Sequence, residues 1–438
     1  MNVNVAPNAD VSQALDEAKA NFAKANPTSG ALYEKALPTM PGGNTRSGVY
    51  FDPFPLYFRR GDGARIWDED GHSYVDFLGE ATAGIYGHSH PVIRAAIDDR
   101  LALGWNLSGV TSLEARHAQV LIDRFPSIER VRFVNSGTEA NMFNIQLARV
   151  ITGRPAVMGF HGCYHGGFLT FTAQTNPINV PYETVVATYN DIDGTAAMID
   201  ANADRIACLI LEPMLGGGGC IPATVEFLAM LRERTKKHGI ILIFDEVMTS
   251  RLSSGGLQKK HGITPDLTSL GKYIGGGFSA GAFGGKAEFL DRFDPRRGDA
   301  LPHSGTYNNN VFTLAAGYAG LTKVYTPEAA TELNARGDKL RDRLNAVCEK
   351  AGVALQFTGI GSMMAPHALR GAITSPQDVA RGNAKLRELL FFDLVAHGIF
   401  IMPKRDLIAL SLPLTDKDFD FLVNGVEEFV AARKSLLQ

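Results

Sequence analysis

Apolar residues change their spacing three times along this 438-residue chain. From about Ser112, near-continuous apolar runs alternate with stretches of helical period. Val131–Val134, Ala156–Phe160, Ile206–Leu211 and Ile240–Phe244 predict buried strands. Between them, Leu113/Val120/Leu121, Ala140/Phe143/Leu147/Ile151 and Thr224–His238 predict helices. Strands that are apolar on both faces belong in a mainly parallel sheet covered by helices, an α/β architecture. Upstream, residues 11–24 predict a short amphipathic helix, followed by a Pro/Gly-rich segment, Pro38–Arg46. Two strand-like stretches, Ala64–Trp67 and Tyr74–Phe77, flank the hairpin signal Asp70-Gly71. Val92–Leu103 then predicts a helix. Past Lys323, Leu333, Leu340, Leu344 and Val347 share one face of a long helix that Gly352 stops. A helix near 376–397, short strands at Ile399–Met402 and Leu407–Leu412, and a closing helix from Asp416 complete the chain. The predicted division is an N-terminal segment over 1–75, a large domain over 76–322 and a smaller α+β domain over 323–438.

Composition narrows the classes. Charged residues make up 20 % and hydrophobic ones 45 %, an ordinary globular balance. The net charge of -3 is spread along the chain, with no basic face to track phosphates, so nucleic acid is not an expected partner. Four scattered cysteines without a CxxC pair predict no disulfide framework. The first 22 residues mix acids and bases and resemble no targeting peptide. No long uncharged apolar run predicts a membrane span. Together these point to a cytoplasmic location.

The candidate chemistry lies at the ends of the apolar runs. Lys272 stands between a strand-like run and the cluster Gly275-Gly-Gly277. Asp245 and Glu212 end two other runs, where parallel α/β sheets bind ligands. Ser136 and Glu139 fit a capping box, and the turn they share with Gly137 and Thr138 also suits a phosphate at a helix start. A nucleotide hydrolase is excluded, because Gly271-Lys272 and Gly285-Lys286 are followed by Tyr and Ala instead of Ser or Thr. His161-Gly-Cys-Tyr-His165 lacks a fourth ligand at zinc spacing, so no metal is expected; Tyr164 offers an aromatic face instead, with His165 beside it. A phosphate turn, an aromatic ring, an acid and a lysine match what pyridoxal phosphate requires.

On these residues the chain resembles the class III, fold-type I aminotransferases. It lies near the glutamate-1-semialdehyde aminomutase branch and is most similar to the β-phenylalanine (aromatic β-amino acid) aminotransferases. The specific stretches are Asn135–Asn141, Tyr164–Gly166, Phe244–Arg251, Leu270–Gly277 and His303–Asn310, within a match running from Met40 to Thr415. The resemblance implies pyridoxal phosphate bound covalently to Lys272, with Asp245 on its pyridine nitrogen. It implies phosphate contacts from Ser136, Gly137 and Thr138, and ring contacts from Tyr164 and Val247. His165 and Glu212 would lie close by. Thr306 would reach the neighbouring subunit's phosphate, so a homodimer with shared sites is expected. The large domain would bind the cofactor, and the N-terminal segment would form the entry to the site.

The resemblance also implies a substrate. Arg46 matches the position that binds a β-amino acid carboxylate, and its planar fork suits bidentate recognition. In the second cationic loop, Lys404-Arg405, Arg405 is the expected acceptor contact. Val49, Tyr50, Phe51 and Tyr86 are candidates for an apolar pocket. The implied reaction moves the amino group of a β-amino acid to a keto acid such as 2-oxoglutarate or pyruvate; an aminomutase-like reaction is the alternative. Met248-Thr-Ser-Arg251 departs from the Gly-Phe-Gly-Arg of many ω-aminotransferases, and Tyr307–Asn310 departs from the usual aminomutase text.

Overall fold

The computed structural model describes residues 11–171, 176–403 and 407–438. Seven strands build the central sheet: β1 Arg130–Val134, β2 Ala156–Phe160, β3 Glu183–Ala187, β4 Ile206–Leu211, β5 Ile241–Asp245, β6 Leu267–Gly271 and β7 Gly281–Gly285. Their spatial order is β1-β7-β6-β5-β4-β2-β3. Only β7 runs antiparallel to its neighbours. Every residue of β2, β4, β5, β6 and β7 is buried, as a sheet covered on both faces demands. The alternation of apolar runs and helices therefore has its expected outcome, a mainly parallel α/β arrangement.

Three further sheets are smaller. Arg65–Asp68 and Ser73–Asp76 pair across the Asp70-Gly71 turn, joined by Phe58–Asp62 on one side and Ile399–Phe400 on the other. Asp70 does more than turn the chain: its carboxylate accepts from the Thr28 and Ser29 amides at 2.6 and 2.9 Å. Gln356–Ile360, Met363–His367 and Ile408–Ala409 form a three-stranded sheet, and Met214–Leu215 with Ile221–Pro222 a two-stranded one. N-terminal Phe22 and Phe51 interlock with Phe391 and Phe392 from the last third of the chain, with ring centroids 4.9–6.0 Å apart.

The long helix Pro327–Ala351 ends at Gly352 with φ 69°, the left-handed stop that glycine favours. The helix expected near 376–397 is two helices, Pro376–Ala380 and Ala384–Ala396. Asn383 separates them, its side chain accepting from the Lys385 and Leu386 amides. Among the described residues, no helix is long and apolar enough to cross a membrane.

Candidate functional site

Because β7 reverses between β1 and β6, the remaining strands all point one way and their carboxyl ends share an edge. Asp245 is the last residue of β5, Glu212 follows β4, Lys272 follows β6, and Ser136 lies two residues beyond β1. Residues separated by more than a hundred positions thus come to one place.

Asp245 is buried (3 % exposed), and both its oxygens are held. Oδ2 accepts from Asn141 Nδ2 at 2.7 Å and faces His165 Nδ1 at 2.8 Å; Oδ1 accepts from the Val247 amide at 3.1 Å. Glu212 Oε1 and Oε2 accept from the amides of Tyr164 and Gly216, each at 2.9 Å. Burial, reinforced by the charge of Asp245, pushes the Glu212 carboxyl up to about 7. Lys272 adopts φ 58°, unusual for a side chain with a Cβ, and its Nζ donates to the Ala81 carbonyl at 2.7 Å. Burial, with Arg251 adding to it, lowers the amine to about 8, against the opposing charges of Asp245, Glu212 and Glu80. A lysine so placed is a neutral base for a substantial fraction of the time near pH 8.

Ser136 caps the helix Gly137–Thr152, its Oγ accepting from the Glu139 amide at 3.2 Å. The reciprocal half of the box is displaced by one residue: Glu139 Oε2 accepts from the Asn135 amide at 3.1 Å. The first amides of that helix have no intrahelical partner, so Gly137 and Thr138 keep donors for an anion. A Cβ on Gly137 would lie 2.6 Å from Val247 Cγ2, and one on Gly166 2.5 Å from Thr138 Oγ1. This bare-backbone cradle, the buried acid and the lysine fit a flat phosphorylated ring. Buried His165 Nε2, without a hydrogen-bond partner among the described residues, adds an unused polar atom beside Asp245. Gly166→Ala meets both that overlap and a φ of 106°, so it should cost about 1–3 kcal/mol, read as a lower thermal midpoint.

The remaining candidates are placed less uniformly. Tyr164 is 45 % exposed on the loop that follows β2 and bridges to Thr170. Arg46 is exposed and paired with Glu80. Thr306 is exposed on a surface groove of about 590 Å³ shared with Trp105, Val110 and Tyr307. Phe51 and Tyr86 are buried in the core; Tyr86 donates its hydroxyl to the Tyr273 carbonyl at 3.0 Å. Lys404 and Arg405 lie outside the described residues. Among those residues, no group of three or more His, Cys, Asp or Glu side chains is arranged to hold a metal. Sequence reasoning assigned no role to Asn141, Glu80 or the Ala81 carbonyl. A backbone acceptor leaves no residue-type signal, and nothing in the residue type of Asn141 singles it out within Asn135–Asn141.

Known proteins match this arrangement along nearly its whole length. Residues 48–421 match the aminotransferase class-III family. The chain is 50 % identical over 429 residues to beta-phenylalanine transaminase of Variovorax paradoxus, covering 98 % of each. It is 36 % identical to glutamate-1-semialdehyde 2,1-aminomutase of Desulfosudis oleivorans, covering 92 % of this chain and 98 % of that one. The crystal structure of the Variovorax paradoxus beta-phenylalanine aminotransferase superposes with a TM-score of 0.96, covering 98 % of this chain and 99 % of the other. An omega-transaminase from Sphaerobacter thermophilus, 38 % identical, superposes at 0.87 over 93 % and 98 %. The chain belongs to the class-III aminotransferases, fold-type I enzymes that work with pyridoxal phosphate.

Proposed function

We propose that this aminotransferase takes the amino group of an aromatic β-amino acid of the β-phenylalanine kind and delivers it to a keto acid such as 2-oxoglutarate or pyruvate. The observation that carries this reading is the 50 % identity, spanning 98 % of both chains, to an enzyme named for that donor. The lower identity, 36 %, to an aminomutase places that reaction second.

The residues act as follows. Pyridoxal phosphate, when bound, supplies a ring that accepts the electron pair left at the amine-bearing carbon. Lys272 would hold it through its amine, Ser136, Gly137 and Thr138 would hold its phosphate, and Tyr164 and Val247 would bracket its ring. Asp245, kept in place by Asn141, His165 and the Val247 amide, would hold its pyridine nitrogen. His165 and Glu212 complete the surroundings. The Lys272 amine, when not engaged with the cofactor, would be the base that takes the proton from the amine-bearing carbon of the substrate. Burial serves that step by holding the amine near 8, where its neutral form is plentiful.

Arg46 binds the substrate carboxylate by exchanging its Glu80 partner for it. Truncation, Arg46→Ala, should raise KM for β-phenylalanine about 10- to 100-fold, the range of a charge-assisted hydrogen bond. Turnover of an amine without a carboxylate should change less than threefold, so steady-state kinetics on the two donors checks the assignment. Arg405 serves the acceptor carboxylate.

Two copies share their sites. Thr306 reaches the partner's phosphate, and the exposed Trp105, Leu107, Val110 and Tyr307 around it form the apolar surface that the second copy covers. The division at 75/76 and 322/323 and a cytoplasmic location go with this reading.

The test is the visible spectrum of the purified protein. Adding β-phenylalanine alone should bleach the band of the lysine-bound cofactor, and 2-oxoglutarate or pyruvate should restore it. A band indifferent to β-phenylalanine overturns the donor. Turnover without any keto acid favours the aminomutase reaction.

A further inference from the structure

The segment Gly79–Thr82 turns with four consecutive positive φ angles: 54° at Gly79, 49° at Glu80, 51° at Ala81 and 79° at Thr82. Three of these residues carry a Cβ, which makes a left-handed turn costly. Strain of this kind persists only where the surroundings impose it. Three local contacts hold the turn: the Gly84 amide donates to the Gly79 carbonyl at 2.7 Å, the Ala83 amide to the Glu80 carbonyl at 3.2 Å, and the Thr82 amide to the Leu78 carbonyl at 3.3 Å.

A further restraint comes from far away in the chain. Arg251 is 1 % exposed, and no carboxylate pairs with it among the described residues. Its guanidinium instead spends its donors on neutral oxygens: Nη1 on the Thr82 carbonyl at 2.9 Å, Nε on Ser362 Oγ at 3.2 Å, and Nη2 on the Leu410 carbonyl. A buried cation without an acid is expensive, so its position calls for a purpose. What the fixed turn presents is the Ala81 carbonyl, the acceptor of the Lys272 amine at 2.7 Å. Donor and acceptor residues both carry positive φ, and both are aimed by strained backbone.

We propose that the Gly79–Thr82 turn is the docking place of the Lys272 amine whenever it is free of the cofactor, and that Arg251 is the positioning residue that holds this turn. The inference rests on Lys272 being the lysine that carries the cofactor. With one N–H given to Ala81, the amine keeps its lone pair for the substrate. In that step the C–H bond at the amine-bearing carbon breaks, its electron pair is left at that carbon for the cofactor's ring to accept, and the proton ends on Nζ. Arg251 also faces Lys272 as a like charge, opposed by Asp245, Glu212 and Glu80.

The experiment compares Arg251→Gln and Arg251→Lys in the full-length protein. The first readout is the rate at which the apoprotein takes up pyridoxal phosphate covalently, followed by absorbance across pH. The second is the single-turnover half-reaction with β-phenylalanine, with and without deuterium at the amine-bearing carbon. With Arg251→Gln, the limb marking the lysine's deprotonation should move to higher pH. The half-reaction should slow at least tenfold, with an enlarged isotope effect. Arg251→Lys keeps the charge and should restore the limb, while the half-reaction stays slow because one ammonium cannot reproduce the fork. A slowed half-reaction with an unmoved limb and a native isotope effect marks Arg251 as merely structural and overturns the proposal. Native behaviour in both variants overturns it as well. Should the Arg251 variants fail to fold, Ala81→Pro forbids the positive φ at the docking carbonyl: a slowed half-reaction with an enlarged isotope effect supports the proposal, and native rates overturn it. Lys272→Ala separates the two readings, since a covalent cofactor retained in that variant disproves the role of Lys272 itself.

Discussion

Lys272→Ala should bind pyridoxal phosphate without the visible band of a lysine-bound cofactor and should lose transamination by at least about 10⁴-fold, the upper range for a removed general base. Two functions are lost together. The variant has no amine to hold the cofactor covalently, and none to move the proton. The fold should survive, because among the described residues the amine makes one hydrogen bond, to Ala81. Truncation also relieves a buried amine of its desolvation, the cause of its lowered pKa. The expected result is therefore a protein with a native or slightly raised melting temperature, able to bind cofactor and unable to turn over. A variant keeping even 1 % of the native rate would refute the assignment of Lys272.

Asp245→Asn should reduce kcat by about 10²- to 10³-fold, the loss expected when one preorganised charge is removed from a transition state. Asparagine keeps the size of the side chain but replaces an anion by a neutral amide. Its oxygen, placed where Oδ2 stands, can still take both Asn141 and His165. Its NH₂ group then stands in for Oδ1 and cannot accept from the Val247 amide. That donor would then be unsatisfied, at about 1–3 kcal/mol. Glu212 should respond as well. Its carboxyl is raised by burial first and by Asp245 second, so removing the Asp245 charge should lower its pKa. Stopped-flow absorbance separates these effects, because cofactor capture should remain while the half-reaction slows. A half-reaction within threefold of native would show that the Asp245 charge is not used.

Much of the scaffold can be read in the sequence. The apolar runs at 131–134, 156–160, 206–211 and 240–244 mark strands because a strand buried on both faces has no polar position to interrupt it. β7 shows the limit of that signal. Its text, Gly281-Ala-Phe-Gly-Gly285, has no β-branched residue and reads as loop, yet it is a buried strand. A Cβ on Gly281 would lie 2.1 Å from the Ser136 carbonyl oxygen, so its composition answers to the backbone beside it, which no local pattern shows. The edge strand Glu183–Ala187, exposed at its start, is likewise missing from a search for continuous apolar runs.

The candidate site divides in the same way. By itself the sequence determined the α/β class, the lysine and the two acids at the ends of apolar runs, and the capped turn at Ser136. Each is a matter of residue type at the end of an element, and element ends are written locally. Only the tertiary structure decided that these ends share one edge, because that depends on β7 reversing between β1 and β6. It also decided that Tyr86 and Phe51 are core, that Arg46 faces Glu80, and that Arg251 holds the turn whose carbonyl takes the Lys272 amine. Those contacts join residues 34 to 191 positions apart, partly through backbone atoms that every residue type possesses. Side-chain identity specifies what a residue offers; only the folded path of the chain specifies what it meets.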